Sequence, residues 1–349
     1  MPCLRLTLST EFVKIIQMNT KVRGINNFSL KQARKLILSG ELVAFPTETV
    51  YGLGANAFDD KAIDKIFKAK GRPQDNPLIV HIADKNSIPL IAKNIGEDAK
   101  KIIDAFMPGS ITVVLNKKGV ISDKVTAGLD TVAVRMPKSE QARKFIAFCG
   151  APIAAPSANA SGRPSPTTAA DVFADMQGKI PLILKGKKCA VGIESTVVDC
   201  TGDVPVILRP GAVTQSMIES VLNKNTQTLT DTTRKVNSPG VRYKHYAPNC
   251  PCVLNVDGDV KKVKTFVDKQ RADGANPVIF CPDNFKQDFD GYKLYLSGKD
   301  EYAMAQSLYR ALRKAEKIYD YIVIVWPYTS EFAQSVYNRL IRVANHTII

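Results

Sequence analysis

Short apolar runs alternate with amphipathic helical patterns along most of this chain, and this alternation limits the folds it can adopt more than any other feature. A helix is expected at residues 29–39, where Ser29 and Gln32 match a capping box, and another at residues 60–71. The strand-like runs lie at residues 42–45, 78–81, 111–115, 131–134, 153–155, 182–184, 196–198 and 204–208, with further helical patterns at 98–106, 140–148 and 169–176. This order predicts an α/β domain with a mixed sheet, ending near residue 222.

A second, smaller α/β unit follows a polar stretch rich in Thr and Asn at residues 223–237. Its expected elements are strands at 253–256, 278–280 and 321–325, and helices at 260–269, 302–318 and 332–340. That spacing is typical of a small parallel, Rossmann-like sheet, although no Gly-x-Gly-x-x-Gly motif accompanies it. The predicted organisation is an N-terminal extension (1–25), a first α/β domain (26–222), a linker (223–250) and a C-terminal α/β domain (251–349).

Composition narrows the classes of function. The 48 basic and 33 acidic residues give a formal net charge of +15, which favours nucleotides or RNA as partners but is equally typical of a generally basic proteome. No apolar run approaches the roughly 20 residues that span a bilayer. Residues 1–17 lack the features of a signal peptide, so we expect a cytoplasmic protein that starts at Met1 or Met18. The seven cysteines lack the spacing of a zinc site and are expected to be reduced packing residues.

Polar loops follow several predicted strands and hold the candidate site residues. Residues 45–54 place two threonines, a glutamate and two glycines directly after a short strand, which is typical of a ligand site rather than a plain turn. Lys70 and Arg72 precede the rigid Pro73 and suit a polyanion, although a solvated basic helix end would show the same pattern. His81 closes an apolar strand, where a structural histidine is the commoner outcome.

The stretch 157–165 is small and hydroxylic, and it follows the expected strand at 153–155. Such residues can bind a phosphate or a ribose, or they can simply form an Asn/Ser/Pro turn. Ser157 lies in no Gly-x-Ser-x-Gly elbow, so a serine hydrolase is not expected. The chain has no Gly-x-x-x-x-Gly-Lys-Ser/Thr motif, so any ATP would bind without a P-loop.

Seven short motifs stand in a fixed order along the first domain. They are the 46–54 loop, Lys70-x-Arg72, Asn76-Pro77-Leu78 with His81, and the segments 134–137, 156–159, 194–196 and 208–211. Together they resemble the threonylcarbamoyl-AMP synthase family. The segment 238–248 and the second α/β unit resemble the long, two-domain form of that family. The resemblance implies a YrdC-like twisted mixed sheet with flanking helices, joined by a linker to a smaller Rossmann-like domain.

The same resemblance implies an enzyme, a nucleotidyltransferase. L-Threonine and bicarbonate (or CO2) would give N-carboxythreonine, whose carboxylate attacks the α-phosphate of ATP and releases diphosphate. Mg2+ would bind mainly through ATP oxygens and water. The threonylcarbamoyl-AMP would pass to a partner transferase that modifies the adenosine beside the anticodon of tRNA, with direct contact between tRNA and this chain left open.

The resemblance also implies which residues form the site. On the threonine side they are Thr49, His81, Arg135, Ala155 and Ser195. On the nucleotide side they are Arg72, Asn76, Thr131, Ser157, Asn159, Ser165 and Arg209, with Tyr243 or His245 closing over the pocket from the linker. Lys70 and Arg72 are the expected catalytic residues, because cations can stabilise charge that develops at phosphorus. No residue is expected to ligate a metal by itself.

Two other functions fit parts of the pattern. A non-catalytic module that holds double-stranded RNA or tRNA would spread its cations over an exposed face and would not need the hydroxyls of Thr47, Thr49 and Ser195. A carbamoyl or acyl transferase acting on another small molecule would need a similar pocket. Release of diphosphate from ATP that depends on threonine would separate the three.

Overall fold

A computed structural model of the protein describes residues 18–229 and 246–349. Within them a large mixed sheet precedes a small parallel one. The strands of the larger sheet are β1 (Lys21–Gly24), β2 (Val43–Phe45), β3 (Gly52–Asn56), β4 (Ile79–His81), β5 (Ala92–Lys93), β6 (Ile111–Lys117), β7 (Thr131–Arg135), β8 (Ile153–Ala155), β9 (Leu182–Lys185), β10 (Thr196–Asp199), β11 (Val206–Arg209) and β12 (Gln227–Thr228). Their spatial order is β1-β9-β2-β3-β8-β4-β7-β6-β10-β11-β12, with β5 beside β6.

Helices flank this sheet on both faces. They are α1 (Asn27–Leu38), α2 (Asp60–Lys70), α3 (Ile88–Ile91), α4 (Glu97–Phe106), α5 (Asp123–Thr126), α6 (Glu140–Cys149), α7 (Ala169–Met176) and α8 (Gln215–Leu222). On one face α1 packs beside α6, where Leu30 and Phe145 are fully buried. On the other face Ile63 of α2 and Ile102 of α4 belong to the largest core cluster. Burial on both faces explains why the central strands are nearly continuous apolar runs.

The mixed pairing at the centre of the sheet positions the candidate site. Strand β4 is parallel to β7 and antiparallel to β8. The parallel register places His81 beside Arg135, and the antiparallel one places Ile79 beside Ala155. Groups that are far apart in the sequence therefore meet on adjacent strands.

The C-terminal domain has the predicted parallel sheet. Its strands β13 (Cys252–Asn255), β14 (Pro277–Cys281), β15 (Leu294–Leu296) and β16 (Tyr321–Val325) stand in the order β13-β16-β14-β15, and every pair is parallel. Its helices are α9 (Val260–Ala272), α10 (Glu301–Ala315) and α11 (Glu331–Val343). The expectation of a small Rossmann-like unit is confirmed, with β15 as an additional strand.

Several elements differ from the sequence-based expectation. Strand β3 lies at Gly52–Asn56, where a loop was expected because glycine is a poor strand former. The missing side chains of Gly52 and Gly54 leave room for the ring of Phe45. Helix α1 is capped by Asn26, and Ser29 is the third helical residue of a capping box rather than the cap. The sheet also extends beyond the predicted 26–222 domain at both ends, since β1 pairs with β9 and β12 pairs with β11.

The described cysteines agree with the expected packing role. None of Cys149, Cys189, Cys200, Cys250, Cys252 and Cys281 forms a disulfide, and all but Cys250 are buried. Across residues 18–229 and 246–349, every helix is too short or too polar to cross a bilayer.

Candidate active site

A cavity lies over the centre of the larger sheet. Its floor is formed by residues of β4, β7 and β8, and its walls come from the loops around residues 47–52, 156–165 and 194–195. It encloses about 700 Å³ of empty space, counting the open mouth. The predicted site residues that line it are Arg72, His81, Arg135, Ala155, Ser157, Asn159, Ser165, Ser195 and Arg209. The cavity therefore brings together residues predicted for both substrates.

Arg135 is held at one side of the cavity by a buried ion pair. Its Nη2 donates to Glu48 Oε1 at 2.5 Å, and both side chains are less than a tenth exposed. Glu48 also accepts from the Ser139 amide at 3.2 Å and from the Ser110 hydroxyl at 3.3 Å. Burial favours the protonated acid, but the charge and hydrogen bond of Arg135 hold the pKa of Glu48 below its usual value. Arg135 Nε has no hydrogen-bond partner among the described residues, so the guanidinium has a donor left for a ligand.

His81 lies next to Arg135 and is neutral. Burial, and then the charge of Arg135, lower its pKa to about 3. Its Nδ1 is 3.1 Å from the carbonyl oxygen of Ile79. A carbonyl oxygen can only accept, so this contact is a hydrogen bond in the tautomer that carries the proton on Nδ1, and in that tautomer Nε2 is an acceptor. The imidazole can therefore accept a hydrogen bond from a hydroxyl or an ammonium group in the cavity.

Ser195 and Arg209 also line the cavity. Arg209 donates Nε and Nη2 to the Ser195 carbonyl at 3.0 and 2.9 Å, and Nη2 also contacts the Ser195 hydroxyl at 3.2 Å. That hydroxyl lies 2.8 Å from the Thr112 hydroxyl. The backbone of residue 195 thus fixes a buried cation beside the cavity.

Lys70 is buried but does not line the cavity. Its Nζ donates to the carbonyl oxygens of Ser157 at 2.6 Å and Asn159 at 2.5 Å. Burial, and then the nearby charge of Arg72, lower the pKa of Lys70 well below its usual value. This geometry fits a residue that fixes the 157–163 loop. The expected catalytic role of Lys70 stays a prediction.

Three other predicted residues also lie outside the cavity lining. The Thr49 hydroxyl is 2.9 Å from that of Thr47, and it is Thr47 that lines the cavity. Asn76 is 1% exposed, and neither atom of its side-chain amide has a hydrogen-bond partner among the described residues. Thr131 begins β7, four positions before Arg135. Tyr243 and His245 lie outside the described residues.

Several residues around the cavity were missed from the sequence. Glu48 and Glu194 are both part of the quoted motifs, and each is a carboxylate that stabilises an arginine within the fold. Tyr246 follows the predicted gate residues, lines the cavity and stacks on Tyr309 of α10 with ring centroids 5.5 Å apart. Arg163 lines the cavity too. A lone carboxylate beside hydroxyl side chains, in Thr47-Glu48-Thr49 and Glu194-Ser195-Thr196, was the available signal for the two acids. The contact with α10 depends on tertiary structure alone.

Comparison with known proteins agrees with the fold. A Sua5/YciO/YrdC family model, described as telomere recombination, matches residues 35–211. A second model, described as the C-terminal domain of threonylcarbamoyl-AMP synthase, matches residues 213–345. A YrdC-type domain that carries this second domain defines a class of two-domain synthases. The chain belongs to the Sua5/YciO/YrdC family, in its threonylcarbamoyl-AMP synthase branch.

Similar proteins cover nearly the whole chain. The threonylcarbamoyl-AMP synthase of Pyrococcus abyssi is 39% identical over 333 residues, which are 93% of this chain and 96% of that protein. The synthase of Bacillus subtilis is 39% identical over 330 residues, 93% of this chain and 95% of its own length. The crystal structure of P. abyssi Sua5 complexed with L-threonine has a TM-score of 0.88 and 38% identity, and the match covers 95% of this chain and 98% of the other.

Proposed function

We propose that this chain is an L-threonylcarbamoyladenylate synthase, a nucleotidyltransferase that joins L-threonine, bicarbonate or CO2, and ATP. The observation that carries the proposal is a single cavity whose lining includes Arg135 and His81, predicted for threonine, together with Arg72, Ser165 and Arg209, predicted for the nucleotide. The relatives named as threonylcarbamoyl-AMP synthases and the threonine complex of P. abyssi Sua5 support it.

Arg135 and His81 suit an amino acid. The free Nε donor of Arg135 can pair with a carboxylate, in the charge-assisted way that favours arginine at such sites. In the tautomer with the proton on Nδ1, Nε2 of the neutral His81 can accept from the threonine hydroxyl or ammonium group. Because both residues are buried and held by neighbouring strands, they would orient threonine before reaction.

The nucleotide side suits a polyphosphate. Arg72 and Arg209 supply positive charge, and Ser157, Asn159 and Ser165 supply short polar groups around the same cavity. In the proposed step a carboxylate oxygen of N-carboxythreonine forms a bond to the α-phosphorus of ATP. The bond from that phosphorus to the bridging oxygen breaks, and diphosphate leaves with its electron pair. The protein would align the two anions and stabilise the charge at phosphorus without a covalent intermediate.

The carboxylates beside the cavity do not fit a resident magnesium site. Glu48 is engaged by Arg135, and Glu194 accepts hydrogen bonds from Ser165, Tyr309 and Arg339. Within the part of the chain that the structure describes, no group of three or more His, Cys, Asp or Glu side chains could hold a metal ion. We therefore propose that Mg2+ enters with ATP, bound by the triphosphate and water.

The product would leave for a second enzyme. Threonylcarbamoyl-AMP is a reactive mixed anhydride, and we propose that a partner transferase in the cytoplasm passes the threonylcarbamoyl group to tRNA adenosine beside the anticodon. A purely RNA-binding function is less well supported, since Arg135 and Arg209 are 4% and 6% exposed and could not reach a backbone on an open face.

Diphosphate release tests the proposal. The purified chain is incubated with Mg-ATP and bicarbonate, with and without L-threonine, and diphosphate is followed by a coupled assay. We expect release only when threonine is present. Release at the same rate without threonine, or none under any condition, would contradict the proposal and favour one of the other functions.

A further inference from the structure

Two buried side chains of the C-terminal domain reach a carboxylate in the wall of the cavity. Tyr309 of α10 donates its hydroxyl to Glu194 at 3.0 and 3.2 Å, and Arg339 of α11 donates Nε to it at 3.3 Å. Tyr309 and Arg339 are both 0% exposed. The same carboxylate accepts from the Ser165 hydroxyl at 2.7 Å. Glu194 thus links the second domain to a residue predicted to bind the nucleotide.

This carboxylate is charged and lies between cations of the two domains. Burial opposes its ionisation, but the charges of Arg339 and then Arg209 hold the pKa of Glu194 below its usual value. Arg339 also donates Nη1 to the carbonyl of Pro210 at 2.5 Å and Nη2 to the carbonyl of Glu194 at 3.4 Å. It therefore holds the backbone next to both Ser195 and Arg209.

A second group of contacts holds the 160–165 loop, which carries Ser165. Arg313 of α10 donates Nε to the carbonyl of Pro164 at 3.0 Å and Nη2 to Asp175 at 2.7 Å. Arg163, a cavity residue, is paired with Glu316 at 2.9 Å. These contacts hold the loop that carries Ser165, a residue predicted for ATP.

Arg135, His81 and Ala155, three of the residues predicted for threonine, are held from within the first domain. Arg135 pairs with Glu48, His81 bonds to the carbonyl of Ile79, and Ala155 is fixed in β8. In residues 18–229 and 246–349, no hydrogen bond or ion pair joins Arg135, His81 or Ala155 to the C-terminal domain. Arg135 and His81 therefore have different supports from Ser165, although all three line one cavity.

We propose that the C-terminal domain positions Ser165 and Arg209, on the nucleotide side of the site, through Tyr309, Arg339 and Glu194, and leaves Arg135 and His81, on the threonine side, unaffected. This inference rests on the proposed function and gives Tyr309 and Arg339 positioning roles. If a donor is lost, the carboxylate can turn away from Ser165 and towards Arg209, so both nucleotide-side groups move. The bonds that hold Arg135 and His81 stay in place.

The substitution Tyr309→Phe tests the proposal with little change of shape. It removes the hydroxyl that contacts Glu194 and keeps the ring that stacks on Tyr246. Tyr302→Phe is the matched control, since Tyr302 lies on the same helix, is 60% exposed and stacks only on Phe332 among the described aromatic residues. Diphosphate release is measured with ATP varied at saturating threonine, then with threonine varied at saturating ATP.

We expect kcat/KM for ATP to fall about tenfold in Tyr309→Phe, the size of effect that the loss of a hydrogen bond to a charged group produces. Threonine binding, measured by calorimetry, should change by less than about twofold, which is small beside such a loss. Tyr302→Phe should match the unsubstituted chain in both measurements. Arg339→Met should lower kcat/KM for ATP further. If that variant does not fold, the Tyr309→Phe measurements alone test the inference.

Two outcomes would overturn the inference. One is a Tyr309→Phe variant with unchanged kcat/KM for ATP. The other is an equal loss for ATP and for threonine, which would mean that the contact supports the whole fold rather than one side of the site. Either result leaves the proposed function standing, provided that the unsubstituted chain releases diphosphate only with threonine. If the unsubstituted chain does not do so, the proposed function itself has failed.

Discussion

At the scale of single residues, burial decides which groups around the cavity are charged. His81 is neutral because it is buried and lies beside Arg135, which lowers its pKa to about 3. Glu48 and Glu194 are just as buried, yet their pKa values lie below the usual value because an arginine contacts each of them. The site therefore pairs its carboxylates internally and keeps cationic donors for anionic ligands.

Arg72→Ala should abolish most diphosphate release without unfolding the protein. Arg72 lines the cavity just beyond α2. A cation that meets developing phosphate charge contributes about 2–4 kcal/mol, which corresponds to a loss of about thirtyfold to a thousandfold in rate. Lys68→Ala is the matched control, since Lys68 is an exposed cation in the last turn of the same helix. Diphosphate release and circular dichroism of both variants check this. Near-normal activity in a folded Arg72→Ala protein would refute the assignment.

His81 should make stability depend on pH. Its folded pKa of about 3 is below the unfolded value of about 6.5, so the unfolded chain binds more protons between these values. The stability is therefore complete above about pH 6.5 and falls by up to about 1.4 kcal/mol per pH unit below it, or about 2 kcal/mol at pH 5. Urea unfolding at pH 7 and pH 5 measures this.

The controls for this pH effect are two matched substitutions. His81→Asn should remove the extra fall in the free energy of unfolding between pH 7 and pH 5. His346 is an exposed histidine near the C-terminus, and a His346→Asn variant should still show this fall. The same loss in the His81→Asn variant would show that other groups cause it.

At the scale of helices and strands, the sequence predicted the elements that have an apolar face towards the core. It missed strands that contain glycine and strands that form only by pairing with a strand far away in the sequence. The predicted strands at 78–81, 131–134 and 153–155 are the centre of the sheet, because β-branched and apolar side chains are buried there on both faces. Strand β3 was missed because the close fit of its glycines against Phe45 leaves no apolar pattern in the sequence. Strand β1 was missed because all its residues are exposed. Their strand conformation comes from their neighbours.

The site was predictable to the extent that it lies in local motifs. Arg135, Ser157 and Ser195 stand at strand ends, where polar groups are easily recognised in a sequence, and they do line the cavity. Lys70 and Asn76 lie in equally clear motifs, but the direction of a side chain depends on packing, and theirs are buried outside the cavity lining. The contact of Tyr309 with Glu194 joins residues 115 positions apart and has no local signal.

Gly54→Ala tests the close packing of β3. A Cβ at residue 54 would lie 2.7 Å from Cγ2 of Ile153 and 3.3 Å from the carbonyl of Val43, so strands β2, β3 and β8 would have to separate. We expect a loss of about 1–3 kcal/mol in the free energy of unfolding, as overpacking typically causes. Gly119→Ala, where a Cβ would meet nothing within 4 Å, is the control and should change stability little. A Gly54→Ala protein as stable as the parent in urea unfolding would contradict this packing.

At the scale of the whole molecule, the two domains share one of the apolar clusters that form their cores. Val50 and Ile193 of the first domain belong to the apolar cluster built around α10 and α11. A Cβ at Gly192 would lie 2.4 Å from the backbone of Gln306, so the two backbones are in close contact. Truncation after Leu222 would therefore expose this core and remove both donors to Glu194. Loss of activity on truncation would not by itself show that the linker closes the pocket.

The central claim is that one cavity joins threonine, bicarbonate and the adenylate of ATP. The most direct measurement uses 13C-labelled bicarbonate with threonine and Mg-ATP, and follows the nucleotide product by mass spectrometry together with released diphosphate. We predict threonylcarbamoyl-AMP that carries the 13C label and forms in equal amount with diphosphate. An adenylate without the label, or diphosphate released without any threonine-containing nucleotide, would contradict the account.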